Sequence, residues 1–202
     1  MNDLESRKMI THKKIKIEDI ADIQLGFPFR RRLKENPNKK VRVLQMGDLS
    51  GPILKDFENL LKADLNGVKE KYFLQSGDIV FRTRGNIHTA TMITGDTQNI
   101  VLAAPLMRIR IKNIKIDPAF LTWIINHPMN QQYFGTEAKG SAVKMIHQSA
   151  LANLQISVPP QEKQERIIAM SELLQKELYL INELRQKKRA YFDAILFQQY
   201  TH

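Results

Sequence analysis

The chain of 202 residues lacks cysteine, which rules out disulfides and thiol chemistry. It has no apolar run approaching the roughly 20 residues that a membrane helix requires. Residues 1–14 carry no apolar stretch of the signal-peptide kind. These absences lead us to expect a cytoplasmic protein. No Gly-Lys-Ser/Thr loop is available to cradle phosphates, which argues against an ATPase. No Gly-x-Gly loop or Pro-Pro-Tyr/Phe tetrad points to a cofactor-binding methyltransferase. The five histidines, His12, His88, His127, His147 and His202, are scattered without metal-ligand spacing, so no metal is expected. Proline and glycine are both missing from Gln161 to the last residue, His202.

That last absence follows Pro159-Pro160 and coincides with a charged, leucine-spaced run. A double proline followed by such a run predicts a long helix launched from a fixed point. Roughly 40 residues at about 1.5 Å each make a rod of about 60 Å. Apolar residues recur at Ile167, Met170, Leu174, Leu178, Ile181, Leu184, Tyr191 and Ile195, in steps of three and four with one position skipped at Lys188. This is a coiled-coil-like seam with one polar interruption. A helix packed on its own domain would show a similar stripe. The rod, however, is longer than the roughly 30–40 Å diameter of a globule formed by the remaining residues. Part of the seam therefore needs another helix, and a symmetry mate is the simplest source.

Hydrophobic residues make up 43% of the chain and charged residues 26%, values of a folded globular protein and not a disordered one. The formal net charge is +10. Of 31 Lys and Arg against 21 Asp and Glu, 24 and 15 precede Gln161, whereas 7 and 6 follow it. The positive charge thus sits in the first part, at +9, where it favours a polyanion through counterion release. Charge spread evenly for solubility is the plainer alternative.

Short strands are predicted at 15–17, 41–44, 67–73, 78–81, 89–93, 100–104, 106–111 and 154–158, bounded by turn-forming residues. A helical turn is predicted at 18–23. A helix at 119–126 is announced by Asp117 as N-cap and Pro118 in the first turn. His127-Pro128 breaks it, and a second helix at 129–134 is expected to stop at Gly135. The predicted fold class is α+β, with a strand-rich domain at 1–158 and a long helix at 159–202. Phe27, Phe29, Tyr72, Phe73 and Trp123 are expected to fill the core and not to stack on bases.

Three stretches carry a resemblance. The first is Gln75-Ser76-Gly77-Asp78-Ile79-Val80-Phe81 with the loop Arg82-Thr83-Arg84-Gly85. The second runs from Gly140-Ser141-Ala142-Val143 through Ile146 and Leu151 to Leu154-Gln155-Ile156-Ser157-Val158-Pro159-Pro160. The third is Glu162, Gln164, Arg166 and Ile167. With Gly26-Phe27-Pro28-Phe29 near the start, their order and spacing resemble one half of the DNA-specificity subunit of type I restriction–modification systems. Gln161 stands where that family often has an apolar residue. A full subunit of the family resembles two target-recognition domains separated by two long antiparallel helices, and this chain has one of each.

The resemblance implies a non-catalytic DNA-recognition module that binds no cofactor itself. It implies double-stranded DNA as partner and a separate methyltransferase subunit carrying S-adenosylmethionine, with or without a restriction subunit. A homodimer paired through the seam would read a bipartite site. The rod's outer face, with Lys163, Arg166, Glu172, Lys176, Glu183 and Lys187, is the expected methyltransferase dock. Arg82, Arg84, Asn86 and His88 flank Gly85 after a strand, and their side chains suit base edges; the alternative is a solvated hairpin tip. Lys139, Ser141 and Lys144 flank Gly140 in a similar loop. Arg30, Arg31 and Arg32, with Lys34, Lys39 and Lys40, form either a phosphate clamp or a solvated charge run.

Two other classes remain open at this point. Asp117 followed by Glu137-x-Lys139 loosely resembles the acid and Glu-x-Lys pattern of Mg-dependent nucleases. A coiled-coil scaffold that binds only proteins would use the seam alone.

Overall fold

The computed structural model describes residues 14–29, 33–65, 67–85, 87–138 and 145–201. They fall into two compact units divided after Gln161. In chain order the first unit contains β1 (Lys14–Lys16), α1 (Ile17–Ile20), β2 (Ala21–Leu25), β3 (Val41–Leu44), β4 (Ile53–Leu54), β5 (Leu61–Ala63), β6 (Ile79–Phe81) and β7 (Ala90–Ile93). It continues with β8 (Ile100–Leu102), β9 (Met107–Ile111), α2 (Pro118–Asn126), α3 (Pro128–Glu137), α4 (Gln148–Asn153) and β10 (Gln155–Ser157). One helix, α5 (Gln161–Thr201), forms the second unit. The predicted α+β class, strand-rich with a long C-terminal helix, is what the chain adopts.

A five-stranded sheet in the order β2-β9-β6-β7-β4 is the frame of the first unit. Its pairs are antiparallel except β4 with β7. A three-stranded sheet, β5-β3-β8, and the antiparallel pair β1 and β10 complete it. Strand β6 is apolar at each position because both of its faces are covered. Ile79 and Phe81 enter one core with Leu121, Ile125, Phe134 and Leu151 of the helices. Val80 enters a second core with Leu44, Phe57, Ile100 and Leu102.

Strand β9 alternates instead. Met107 and Ile109 join the helical core, which turns Arg108 and Arg110 to the opposite face. A cation there needs a partner, and each has one. Arg108 donates to Asp22 at 2.6 Å and to the Lys71 carbonyl at 2.9 Å. Arg110 grips the buried Asp78 with Nε and a terminal nitrogen, both at 2.7 Å. Asp78 also accepts the Gln75 backbone N–H at 2.7 Å. The bond to Asp78 raises the Arg110 guanidinium above its ordinary pKa. The Gly77-Asp78-Ile79 motif therefore has a structural reason: its carboxylate ties two strands and a turn together.

Several local expectations are corrected. The predicted strand 67–73 is instead a 3-10 turn at Glu70–Tyr72, with only Phe73 bridged to Val101. The helical turn expected at 18–23 is α1, ending at Ile20, followed by β2, whose alternating Ala21, Ile23 and Leu25 pair along β9. Helix α3 passes through Gly135, where a Cβ would meet open space. Asp117 and Pro118 do start α2: Asp117 Oδ1 accepts the Ala119 N–H at 2.7 Å. The expected core aromatics Phe27, Phe29, Tyr72, Phe73 and Trp123 are all only partly covered. Phe57, Phe81, Phe120 and Phe134 are the buried ones.

Candidate nucleic-acid interface

The connection from β6 to β7 holds four of the expected base-reading residues, and the structure separates their roles. Arg82 turns inward, and one terminal nitrogen donates to the Met46 and Leu49 carbonyls at 3.0 Å each. His88 is buried, its ring stacked 6.5 Å from Phe81 and its Nδ1 3.4 Å from the Arg82 carbonyl. Both residues take part in holding the loop. Arg84 is exposed. Asn86 lies outside the described residues. Gly85 has φ +108°, a left-handed turn that disfavours a side chain.

Arg84 also joins this loop to the second expected one. It bridges Met145 in antiparallel fashion, with Nε 3.4 Å from the Met145 sulfur. The next N–H, of Ile146, donates to the Thr83 carbonyl at 2.8 Å. Met145 directly follows the segment with Lys139, Ser141 and Lys144, residues outside those described. The connection after β6 is thus tied to Met145 and Ile146, some sixty residues on in sequence.

Three anchors escaped sequence reasoning. Asn126 both donates to and accepts from the Ala90 backbone at 2.8 Å, imitating a neighbouring strand. Gln131 donates to the His88 and Ile125 carbonyls at 2.9 Å. Thr83 donates to the Pro105 carbonyl at 2.6 Å. Asn126 sits just before the His127-Pro128 break, the only hint in the sequence that a helix end meets the hairpin.

Arg30, Arg31 and Arg32 also lie outside the described residues. Among the residues preceding them in sequence, Phe27 packs edge-on against Phe29 and Tyr72, with ring centroids 4.9 and 5.2 Å apart, and Lys71 lies 5.1 Å from the Tyr72 ring. Lys34 and Lys40 are exposed, whereas Lys39 pairs with Asp64 at 2.7 Å. The nuclease triplet is placed only in part. Asp117 caps α2, Glu137 ends α3, and Lys139 is not among the described residues. Among the described residues no cluster of three His, Asp or Glu could hold a metal.

In α5, six of the seam residues, Met170, Leu174, Leu178, Ile181, Leu184 and Tyr191, are between 51 and 71% exposed. Ile167 and Ile195 are partly covered. Leu173, Leu180, Phe192 and Leu196 are exposed too and widen the seam. Tyr179 and Phe197, five helical turns apart, share another face.

The chain combines an α+β unit, with a firmly held polar connection from β6 to β7, and a helix with exposed apolar flanks. Its sequence matches the type I restriction modification DNA specificity domain over residues 9–188, so the chain belongs to that family. The expected non-enzymatic class rests on this membership. Comparison with curated proteins finds no match. Among solved structures, the HsdS subunit from Thermoanaerobacter tengcongensis is 15% identical, with a TM-score of 0.61 over 83% of this chain and 38% of that one. A chain from a study of complex assembly and conformational transition in the type I R-M system is 14% identical, with a TM-score of 0.70 over 96% and 46%. The type I restriction-modification S subunit from M. genitalium is 14% identical, with a TM-score of 0.55 over 87% and 42%. At these identities the likeness is one of fold. The chain spans less than half the length of each of these three structures.

Proposed function

We propose that this chain reads double-stranded DNA sequence-specifically for a type I restriction–modification system. The observation that carries the reading is the exposed Arg84 on the firmly held connection after β6, bridged to Met145. A loop held firmly on a sheet makes a reading edge, and its exposed cation suits phosphate or guanine. The +9 charge before Gln161 adds sequence-independent attraction.

The exposed seam of α5 supports pairing with a second copy. Two antiparallel helices would hold two reading units at a set separation, and the site would be one short half-site repeated in inverted order across a fixed gap. A separate methyltransferase subunit, carrying S-adenosylmethionine, would dock on the polar side of α5 that carries Glu172, Lys176, Glu183 and Lys187, whereas Lys163 and Arg166 fall on the seam side. Where the system has a restriction subunit, that subunit would join the same assembly.

Selection from a randomised duplex library by the chain with its methyltransferase tests both parts. The expected result is salt-sensitive enrichment of an inverted pair of half-sites. A single asymmetric site would contradict the pairing. No enrichment at any salt concentration would contradict DNA reading and favour the protein-only scaffold.

A further inference from the structure

Ile87 stands out on the first unit. It is 60% exposed, at the tip of the β6–β7 connection and next to the buried His88. A single exposed isoleucine is ordinary on a protein surface. What sets this one apart is how firmly its loop is held. Arg82 N–H pairs with the Thr89 carbonyl at 2.9 Å across the stem. Arg82 is also tied to Met46 and Leu49, Thr83 to Pro105 and Ile146, and His88 to Gln131. Ring stacking of His88 on Phe81 fixes the descending side from within. The stem therefore cannot fold Ile87 back into the core, although the core lies one residue away.

Held this way, the tip presents two chemically different groups: the Arg84 guanidinium and the Ile87 side chain. That combination matches the major groove, where guanine offers O6 and N7 as acceptors and thymine offers a C5-methyl group to apolar side chains. The minor groove has no methyl group and gives a β-branched side chain nothing comparable. We infer that Ile87 is a specificity-determining residue that packs on a thymine methyl group in the bound site, beside the contact made by Arg84. This assignment rests on the DNA-reading function proposed above. It adds one base identity per half-site to that reading.

The test compares thymine with deoxyuridine, which differs only by the methyl group. Each thymine of the selected site is replaced in turn by deoxyuridine, and binding is measured for the wild type and for Ile87→Ala. Burial of one methyl-sized group predicts that the wild type loses affinity about three- to fivefold at one position of each half-site. The variant binds the thymine site more weakly by a similar factor and no longer distinguishes deoxyuridine there. Ile87→Val, which keeps a β-branched methyl pair, retains most of the discrimination.

A wild type insensitive to every such replacement overturns the assignment while leaving DNA reading intact, and this arm needs no variant. A variant that weakens binding equally to thymine and deoxyuridine sites also overturns it, pointing to insertion between bases or a purely structural role. Absence of any selected site removes the assignment together with the reading beneath it.

Discussion

Strand β6 hides Ile79, Val80 and Phe81 completely, whereas α5 leaves Met170, Leu174, Leu178 and Tyr191 more than half exposed. Both segments are apolar; they differ in whether their own unit covers them. In the first unit the cores close on both faces of the sheet, and even its inward-facing arginines have acidic partners. In α5 the apolar residues form a broad, unfilled flank, the kind of surface that marks an interaction site. The contrast places the first unit's stability in its internal contacts and leaves the helix with uncovered apolar surface, and substitutions can break or sharpen it.

The largest effect is expected at Asp78. Asp78→Ala leaves Arg110 and the Gln75 N–H without their acceptor. The expected loss is about 3 kcal/mol, the low end for a broken buried pair because Arg110 keeps some access to water. Urea denaturation reads it. A loss below about 1 kcal/mol, the range of exposed pairs, would show that the inner face of β9 is no tighter than a surface.

Gly26→Ala comes next. Its Cβ would lie 2.5 Å from the Ala103 carbonyl carbon and 2.6 Å from the Ala103 oxygen. Backbone cannot swing away as a side chain can, so overpacking costs about 1–3 kcal/mol. Thermal melting reads this loss, and an unchanged melting temperature would contradict the close approach.

A smaller, pH-dependent effect is expected at Tyr133. Its hydroxyl donates to the Ala150 carbonyl at 2.9 Å. Burial raises the phenol above its ordinary pKa, with the Glu137 carboxylate adding to the effect. Because the folded value is raised, the neutral phenol's contribution is present in full below about pH 10, the usual tyrosine value. It is lost as pH climbs through the folded value. Tyr133→Phe should therefore be less stable than wild type by about 1 kcal/mol at neutral pH, and the gap should shrink above pH 10. Parallel pH–stability curves would contradict the assigned environment.

The smallest effect is a gain. Gly135 lies inside α3 with open space where a Cβ would stand. Gly135→Ala should stabilise the first unit by about 0.5–1 kcal/mol through helix propensity alone. A loss at this position would mean that the helix surface there is occupied.

Much of this architecture was legible in the sequence. The Asp117-Pro118 start of α2, the strand Val41–Leu44 and the helix opening after Pro159-Pro160 all announce themselves by turn chemistry or unbroken periodicity. The failures have physical causes too. Strands β4 and β5 have two and three residues, too short for any period to show. Helix α3 tolerates Gly135 because tertiary packing through Phe134 outweighs one poor helix former. The site was the less legible part. Arg82, Arg84 and His88 look alike in sequence, yet only Arg84 faces outward, and what sorts them is hydrogen bonding to Met46, Leu49 and Gln131 from distant segments.

The contrast between a satisfied domain and an unsatisfied helix is tested most directly by the mass of the protein in solution, measured by light scattering on the wild type and on Leu178→Asp. The proposed pairing predicts twice the 23.4 kDa chain mass for the wild type, and a single-chain mass for the variant with the first unit's melting unchanged. A wild type that scatters as one chain at every concentration would contradict it.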